Sequence, residues 1–327
     1  MSHLPNKART FLQALIRDGR LPLLVLALGL LMAGGTALCL AATGHFLPHD
    51  ERFLGMAADD LCALHGCRVV HFMVHDRASF GGVLMAIGLF YLWLTKFPLR
   101  EREAWAWWTI LVSGAVGFAS FLAYIGYGYL DLWHGVATLA LLPCYVLGLI
   151  YARTRLRQPA GVGAIFTTQP RSAWRSTHGA GQICLILASL GATGAGLVIL
   201  AVGMSDVFVP QDLAYMGLSV EELNTLNPRL VPLIAHDRAG FGGALVSAGS
   251  AASMCAWFGQ PSRSLWRSLA SAGVVGFGPA IGVHFAIGYT DVFHLSPAVA
   301  GAALYAIGLA LTYRSMHPTG QSTEGRA

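Results

Sequence analysis

Residues 75–82 read His-Asp-Arg-Ala-Ser-Phe-Gly-Gly, and residues 236–243 repeat seven of these eight positions as His-Asp-Arg-Ala-Gly-Phe-Gly-Gly. Upstream, residues 46–50 (Phe-Leu-Pro-His-Asp) match residues 208–212 (Phe-Val-Pro-Gln-Asp). Downstream, a third motif, Tyr-x-Asp-x-x-His, occurs at 129–134 and again at 289–294. Three motifs that recur in the same order, at a nearly constant offset, predict a tandem duplication of the chain.

The composition is typical of a membrane protein. Of the 327 residues, 55% are hydrophobic and 11% are charged, whereas about 25% are charged in an average soluble domain. This composition excludes a soluble globular domain, a nucleic-acid-binding protein and a disordered chain. Several uncharged stretches are long enough to cross about 30 Å of hydrocarbon as a helix, so we predict an all-α membrane protein. Its eight expected transmembrane helices lie at 21–43, 78–95, 105–126, 134–152, 181–204, 239–258, 265–289 and 295–313.

The spans divide into two sets of four. Residues 1–152 form the first four-helix repeat, 153–178 a basic linker and 179–327 the second repeat. Because four is even, the two halves enter the membrane in one orientation, unlike the inverted repeats of many transporters. Most basic residues lie in the termini, the linker and the turns of the same side, and the opposite connections carry acids. The positive-inside rule then places both termini in the cytoplasm, and we expect a bacterial inner membrane.

All copies of the three motifs are expected at the outer face of the membrane. The His-Asp-Arg motif would open the second and sixth spans, where Asp76 and Asp237 cap the helices and complement their dipoles. The arginines would form salt bridges, and the glycine pairs would let neighbouring helices approach closely. Capping leaves the histidine that begins each motif unexplained. The expected structural charge network consists of Arg77, Arg238, Asp50 and Asp212.

The Tyr-x-Asp-x-x-His motif predicts a helix cap followed by a histidine in the first turn, on the same face as the aspartate. This spacing suits two ligands of one metal, or a histidine held in one tautomer by a carboxylate. Paired imidazoles across a four-helix bundle are typical axial ligands of haem, whereas histidine with carboxylates suits zinc or iron. The alternative is that these histidines only form hydrogen bonds in loops. The candidate cofactor ligands are His75, His134, His236 and His294, and the candidate metal-binding carboxylates are Asp76, Asp131, Asp237 and Asp291.

Eight spans in two parallel four-helix halves, with a histidine near the outer start of each even-numbered span, resemble the layout of the heme A synthase family. The resemblance covers the whole chain as a layout and implies that the four candidate histidines are haem ligands. Cys62 and Cys67 fall in the first outer loop, where many members of that family carry a cysteine pair. The family's Glu-x-x-His-Arg signature is not present, since Phe72 and Leu233 occupy its glutamate positions and an aspartate separates each histidine from its arginine.

The six cysteines fall into two groups. Cys62 and Cys67 share the first outer loop, where an oxidising compartment allows a short-loop disulfide. The other four lie within spans and are not matched between the halves, which is typical of small apolar packing residues. They are Cys39, Cys144, Cys184 and Cys255.

Three functions are compatible with this pattern. The first is a membrane oxidoreductase that binds haem, with haem b expected, and acts on a quinone or another lipid-soluble substrate at the outer face. The second is a zinc-dependent hydrolase that acts on lipid at the same interface. The third is a transporter or assembly factor without enzymatic activity. The sequence contains no nucleotide-binding or nucleophile motif that narrows the reaction.

Overall fold

The computed structural model describes residues 18–122, 129, 132–157 and 174–317, with only the backbone described at 121–122 and 132–134. All regular secondary structure in these residues is helical. The first half contains α1 (Arg20–Thr43), α2 (Pro48–Leu54), α3 (Ala58–His65), α4 (Arg68–Lys96), α5 (Ala104–Leu122) and α6 (Leu132–Arg153). The second half contains α7 (Thr177–Gly203), α8 (Pro210–Met216), α9 (Val220–Leu226), α10 (Leu230–Phe258), α11 (Arg263–Ile287) and α12 (Val292–Met316).

Seven of the described helices are long and apolar enough to cross a membrane, which gives the chain the character of an integral membrane protein. They are α1, α4, α6 from Gly135 onward, α7, α10, α11 and α12. The third predicted span coincides with α5, whose apolar part is the shorter stretch Ala104–Ser120. The order of long and short helices is the same in both halves.

The expected starts of the second and sixth spans are wrong. Helix α4 begins at Arg68 and α10 at Leu230, each between about two and a half and three turns before the predicted first residue. The His-Asp-Arg motif therefore lies inside a helix, and Asp76 and Asp237 do not cap it. The predicted spans began after the charged Asp-Arg pair of each motif, whereas in the structure each helix extends before that pair and the short helices cover this part of it. The capping prediction for Asp291 agrees with the structure, because its carboxylate accepts a hydrogen bond from the His294 amide at 2.8 Å.

Helices of the first half are in direct contact with helices of the second half. The central pair is α4 and α10, which contact each other directly. Helix α4 also packs against α1 of its own half and α11 of the other, while α10 packs against α7 of its own half and α5 of the other. The third long helix of each half therefore lies beside the second long helix of the opposite half.

The glycine pairs of the motif explain this close packing. A Cβ atom at Gly81 would lie 2.9 Å from the carbonyl oxygen of Gly34 in α1, and one at Gly82 would collide with the carbonyl oxygen of Val275 in α11. In the second half, Gly242 faces Gly196 of α7 and Gly243 faces Ser120 of α5 in the same way. One glycine of each pair thus admits a helix of its own half, and the other admits a helix of the opposite half.

The four short helices α2, α3, α8 and α9 cover one end of the bundle, called here the capped end. They enclose an apolar cluster that includes Phe72 and Leu233 from the first turns of α4 and α10. Asp50 and Asp212 lie in the first turns of α2 and α8. Their carboxylates accept hydrogen bonds from the amides of Leu47 at 3.2 Å and Val209 at 2.8 Å. The capped end thus buries the N-terminal parts of α4 and α10, which include His75, Asp76, His236 and Arg238, beneath apolar side chains.

Candidate metal centre

Three histidines meet beneath the capped end. His75 comes from α4, His284 from the last turn of α11 and His294 from the first turn of α12. One ring nitrogen from each lies within 4.8 Å of the others. His75 and His284 are 4% and 5% exposed, and 19% of the His294 side chain is exposed. Among the described residues, this is the one group of three or more His, Cys, Asp or Glu side chains with the spacing of a metal site.

A separate partner holds the Nδ1 atom of each ring. His75 Nδ1 donates to Asp76 Oδ1 at 3.0 Å, and His284 Nδ1 donates to the Ala280 carbonyl at 2.7 Å. The Nδ1 atom of His294 lies 3.1 Å from the Tyr289 hydroxyl. Because a carboxylate and a carbonyl oxygen only accept hydrogen bonds, the proton of His75 and of His284 resides on Nδ1. Histidines that bind metals are typically oriented in this way, by a hydrogen bond from the ring nitrogen that does not bind the metal; the group that accepts it is called here an outer partner.

The Nε2 atoms of His75 and His284 are 3.1 Å apart. With Nδ1 protonated in both rings, a neutral pair would direct two lone pairs at each other, so the contact needs either a proton on one Nε2 atom, which makes a hydrogen bond, or a metal ion bound between the two. Two nitrogens bound to one zinc ion at about 2.0–2.1 Å are about 3.3 Å apart at the tetrahedral angle. The observed separation fits two imidazoles that share a metal ion.

Tyr289 connects His294 to a buried carboxylate. Its hydroxyl donates to Asp212 Oδ1 at 2.7 Å and accepts from His294 Nδ1. Burial, together with the nearby Asp212 carboxylate, raises the pKa of Tyr289, which lies in the loop between α11 and α12. The phenol therefore keeps its proton at neutral pH and acts as the donor to Asp212. Arg238 neutralises Asp212, with Nη1 2.7 Å from Oδ2.

The other predicted ligands lie elsewhere or are not described. His236 Nδ1 pairs with Asp237 Oδ1 at 2.9 Å, and its ring packs against Tyr129 with the centroids 4.8 Å apart. Asp291 caps α12, and Asp76 supports His75 rather than facing the shared cation position. Asp131 and the side chain of His134 lie outside the described residues.

The residues predicted for the charge network and the disulfide are all described. Arg77 Nη2 lies 2.9 Å from Asp50 Oδ2, and Arg238 contacts Asp212 as given above. Cys62 and Cys67 form a disulfide that closes the loop from α3 to the start of α4.

The expectation that paired histidines of one half face each other is not what the described residues show. His75 of the first half meets His294 of the second, with ring centroids 5.7 Å apart. The reason is the exchange of helices, since α11 packs on α4 and brings the loop to α12 with it.

His284 was missed as a candidate ligand because the repeated motifs do not include it. The sequence has Tyr124 at the position that corresponds to His284, so the repeated motifs gave no signal there. The available signal was a histidine within an apolar span, five residues before the Tyr-x-Asp-x-x-His motif, because ionisable residues in such helices are costly and usually functional.

No protein-family model, curated protein sequence or solved structure matches this chain.

Proposed function

We propose that this chain is a membrane metalloprotein that binds one divalent transition-metal ion, with zinc expected, through Nε2 of His75, His284 and His294. The observation that carries this proposal is the 3.1 Å separation of two Nε2 atoms whose Nδ1 atoms both donate to obligate acceptors. A ring nitrogen of His294 lies within 4.8 Å of those of the other two histidines.

The geometry favours a single ion over haem. Axial imidazoles lie on opposite sides of the haem iron, so their nitrogens are about 4 Å apart for bonds of about 2.0 Å, which is longer than the observed separation. Haem also accepts at most two axial ligands, whereas three histidines converge here. Three imidazoles and one open position are the typical ligand set of catalytic zinc.

The chemistry that such a centre supplies is the activation of water for hydrolysis. His294 is the most exposed of the three ligands, and its neighbours Val292 and Phe293 are 73% and 81% exposed. Exposed apolar side chains at the end of a spanning helix face lipid, while the apolar cluster of the capped end covers His75. This arrangement favours an amphiphilic substrate, such as a lipid ester or amide, that enters from the bilayer.

An oxidoreductase is the second candidate. A donor set made only of imidazoles also suits copper and iron, which would use the same three histidines in electron transfer to a lipid-soluble substrate such as a quinone. The identity of the bound metal distinguishes the two candidates.

We also infer that the chain contains eight spans in two tandem repeats, with α5 as the third span and both termini in the cytoplasm. The capped end would then face the outside of a bacterial inner membrane. A single cysteine at the exposed position Glu222 should react with an impermeant maleimide on intact cells, and one at Arg155 should not. The reverse pattern would invert the orientation.

Elemental analysis of protein purified in mild detergent tests the metal centre. We expect one zinc ion per chain in the wild type, and loss of this zinc in His284→Ala. His236→Ala is the matched control and should keep its metal. An absence of metal in the wild type, even after incubation with zinc, contradicts the proposal. A Soret band that sharpens on reduction would indicate haem, and stoichiometric copper or iron would support the redox candidate.

A further inference from the structure

Arg238 lies between the two carboxylates that support the histidine cluster. Its Nη1 atom donates to Asp212 Oδ2 at 2.7 Å and to the Val207 carbonyl at 2.6 Å. Its Nε atom donates to Asp76 Oδ2 at 3.3 Å. The guanidinium also lies over the ring of Phe72, 5.0 Å from its centroid, and 7% of the side chain is exposed.

Each of these carboxylates orients one candidate ligand. Asp76 accepts from Nδ1 of His75, and Asp212 accepts from Tyr289, which in turn accepts from Nδ1 of His294. The same arginine therefore fixes the outer partners of two histidines. These histidines belong to α4 of the first half and α12 of the second.

The planar guanidinium is suited to this bridging role. It presents several donors in fixed directions, so one side chain can bind two carboxylates and a carbonyl oxygen together. A lysine would retain the charge but would lack the rigid fork. The two carboxylates also compensate the burial of the arginine, which is unfavourable for an unpaired charge.

Arg77 provides a natural comparison, because it occupies the same place in the first copy of the motif. It donates to Asp50 and to the His45 carbonyl, just as Arg238 donates to Asp212 and the Val207 carbonyl. The cross-half contact differs, because Asp237 Oδ2 is buried and has no hydrogen-bond partner among the described residues. The contact to the opposite half therefore distinguishes Arg238 from Arg77.

We propose that Arg238 is a positioning residue of the metal centre, which orients His75 and His294 through Asp76 and Asp212. Metal affinity then depends on a contact between the two halves of the chain. This inference rests on the proposed function, because it concerns the same centre.

The test compares Arg238→Gln with Arg77→Gln in the full-length protein, purified in detergent. Zinc affinity is measured by competition with a chromogenic chelator, and cobalt(II) absorption reports the ligand geometry. We expect Arg238→Gln to bind zinc about 10–100-fold more weakly, as for other outer partners of metal ligands, and to shift the cobalt bands. Arg77→Gln should stay within about twofold of the wild type.

A purely structural role for Arg238 would lower the thermal stability of the metal-free Arg238→Gln protein and leave the zinc affinity of its folded fraction unchanged. That result overturns the proposal. Arg238→Lys, which keeps the charge, should recover part of the affinity, and it replaces Arg238→Gln if the latter does not fold. In Asp76→Ala, the Arg238→Gln change should cost less than in the wild type, because the two act on the same ligand. A wild type that binds no metal contradicts the proposed function itself, whatever the variants do.

Discussion

The two copies of the His-Asp-Arg motif form the same local pair in different surroundings. His75 bonds Asp76 at 3.0 Å, and His236 bonds Asp237 at 2.9 Å. In the first pair, Asp76 also contacts Arg238, and His75 also contacts His284 and His294. Around the second pair, the His236 ring packs against Tyr129, and Asp237 Oδ2 has no hydrogen-bond partner in the described part of the chain.

This difference shows that the motif builds a histidine–carboxylate pair but does not by itself build a metal centre. The third histidine comes from α11, and the corresponding position in the sequence of the first half is Tyr124. The centre is therefore expected at one copy of the motif. Two changes test that asymmetry, and two further changes test features of the capped end that the halves do not share or that the sequence predicted.

The largest effect is expected for His284→Tyr, which gives α11 the residue found at the corresponding position of the first half. Zinc affinity should fall by more than about 100-fold, because a direct ligand is lost and even outer partners contribute 10–100-fold. Chelator competition measures the change. His178→Tyr, in α7 beside Ser315, is the control and should retain full affinity. A His284→Tyr protein that binds zinc within tenfold of the wild type would remove His284 from the centre.

The second change compares Asp76→Ala with Asp237→Ala. The first removes the acceptor that orients His75, and zinc affinity should fall by about 10–100-fold. The second removes the same type of residue from the other copy and should change affinity by less than about twofold. Equal losses in both variants would mean that the two copies contribute equally, and the asymmetry argued above would be wrong.

The third change concerns stability at the capped end. The disulfide between Cys62 and Cys67 closes a short loop, with a sequence separation of 5, and the second half has no cysteine in the corresponding loop. Replacing both cysteines with serine should lower the free energy of unfolding by about 2 kcal/mol. Unfolding in detergent, with and without a reductant, measures it. The reductant should destabilise the wild type to a similar extent and leave the double variant unchanged.

The smallest effect is expected for Asp291→Ala. The carboxylate caps α12 one residue before it begins, and its loss should cost about 1 kcal/mol of stability, measured as a lower melting temperature in detergent. Asp291→Ser should restore most of it, since serine is also a good cap. Asp206→Ala removes an exposed acid of the loop before α8 and should have little effect. A large loss of zinc in Asp291→Ala alone would instead assign this carboxylate to the metal.

Much of the helical architecture follows from hydropathy, because a long apolar stretch has few alternatives to a membrane helix. The starts of α4 and α10 do not follow from it. Their N-terminal parts contain the histidine, aspartate and arginine of the motif, which count against a span, and only the short helices of the capped end show how these groups are buried. For the same reason, a cap was expected at Asp76, where the structure has a helix interior.

The candidate site was predicted in part. The repeated motifs pointed to His75 and His294, because both belong to them, whereas Asp76 was expected to cap the helix or to bind the metal. The motifs pointed equally to His236, since a repeat treats both copies alike. His284 lay outside the repeat, and no spacing within one helix relates it to a residue that is 209 positions away in the chain.

The sequence by itself determined an apolar, helical chain with two copies of each polar motif, because composition and periodicity depend on neighbouring residues alone. It also determined which acid caps α12. Only the tertiary structure decided that α11 packs on α4, since that depends on glycines of one half facing backbone of the other. The meeting of His75, His284 and His294, and the bridge formed by Arg238, are consequences of this exchange of helices between the halves.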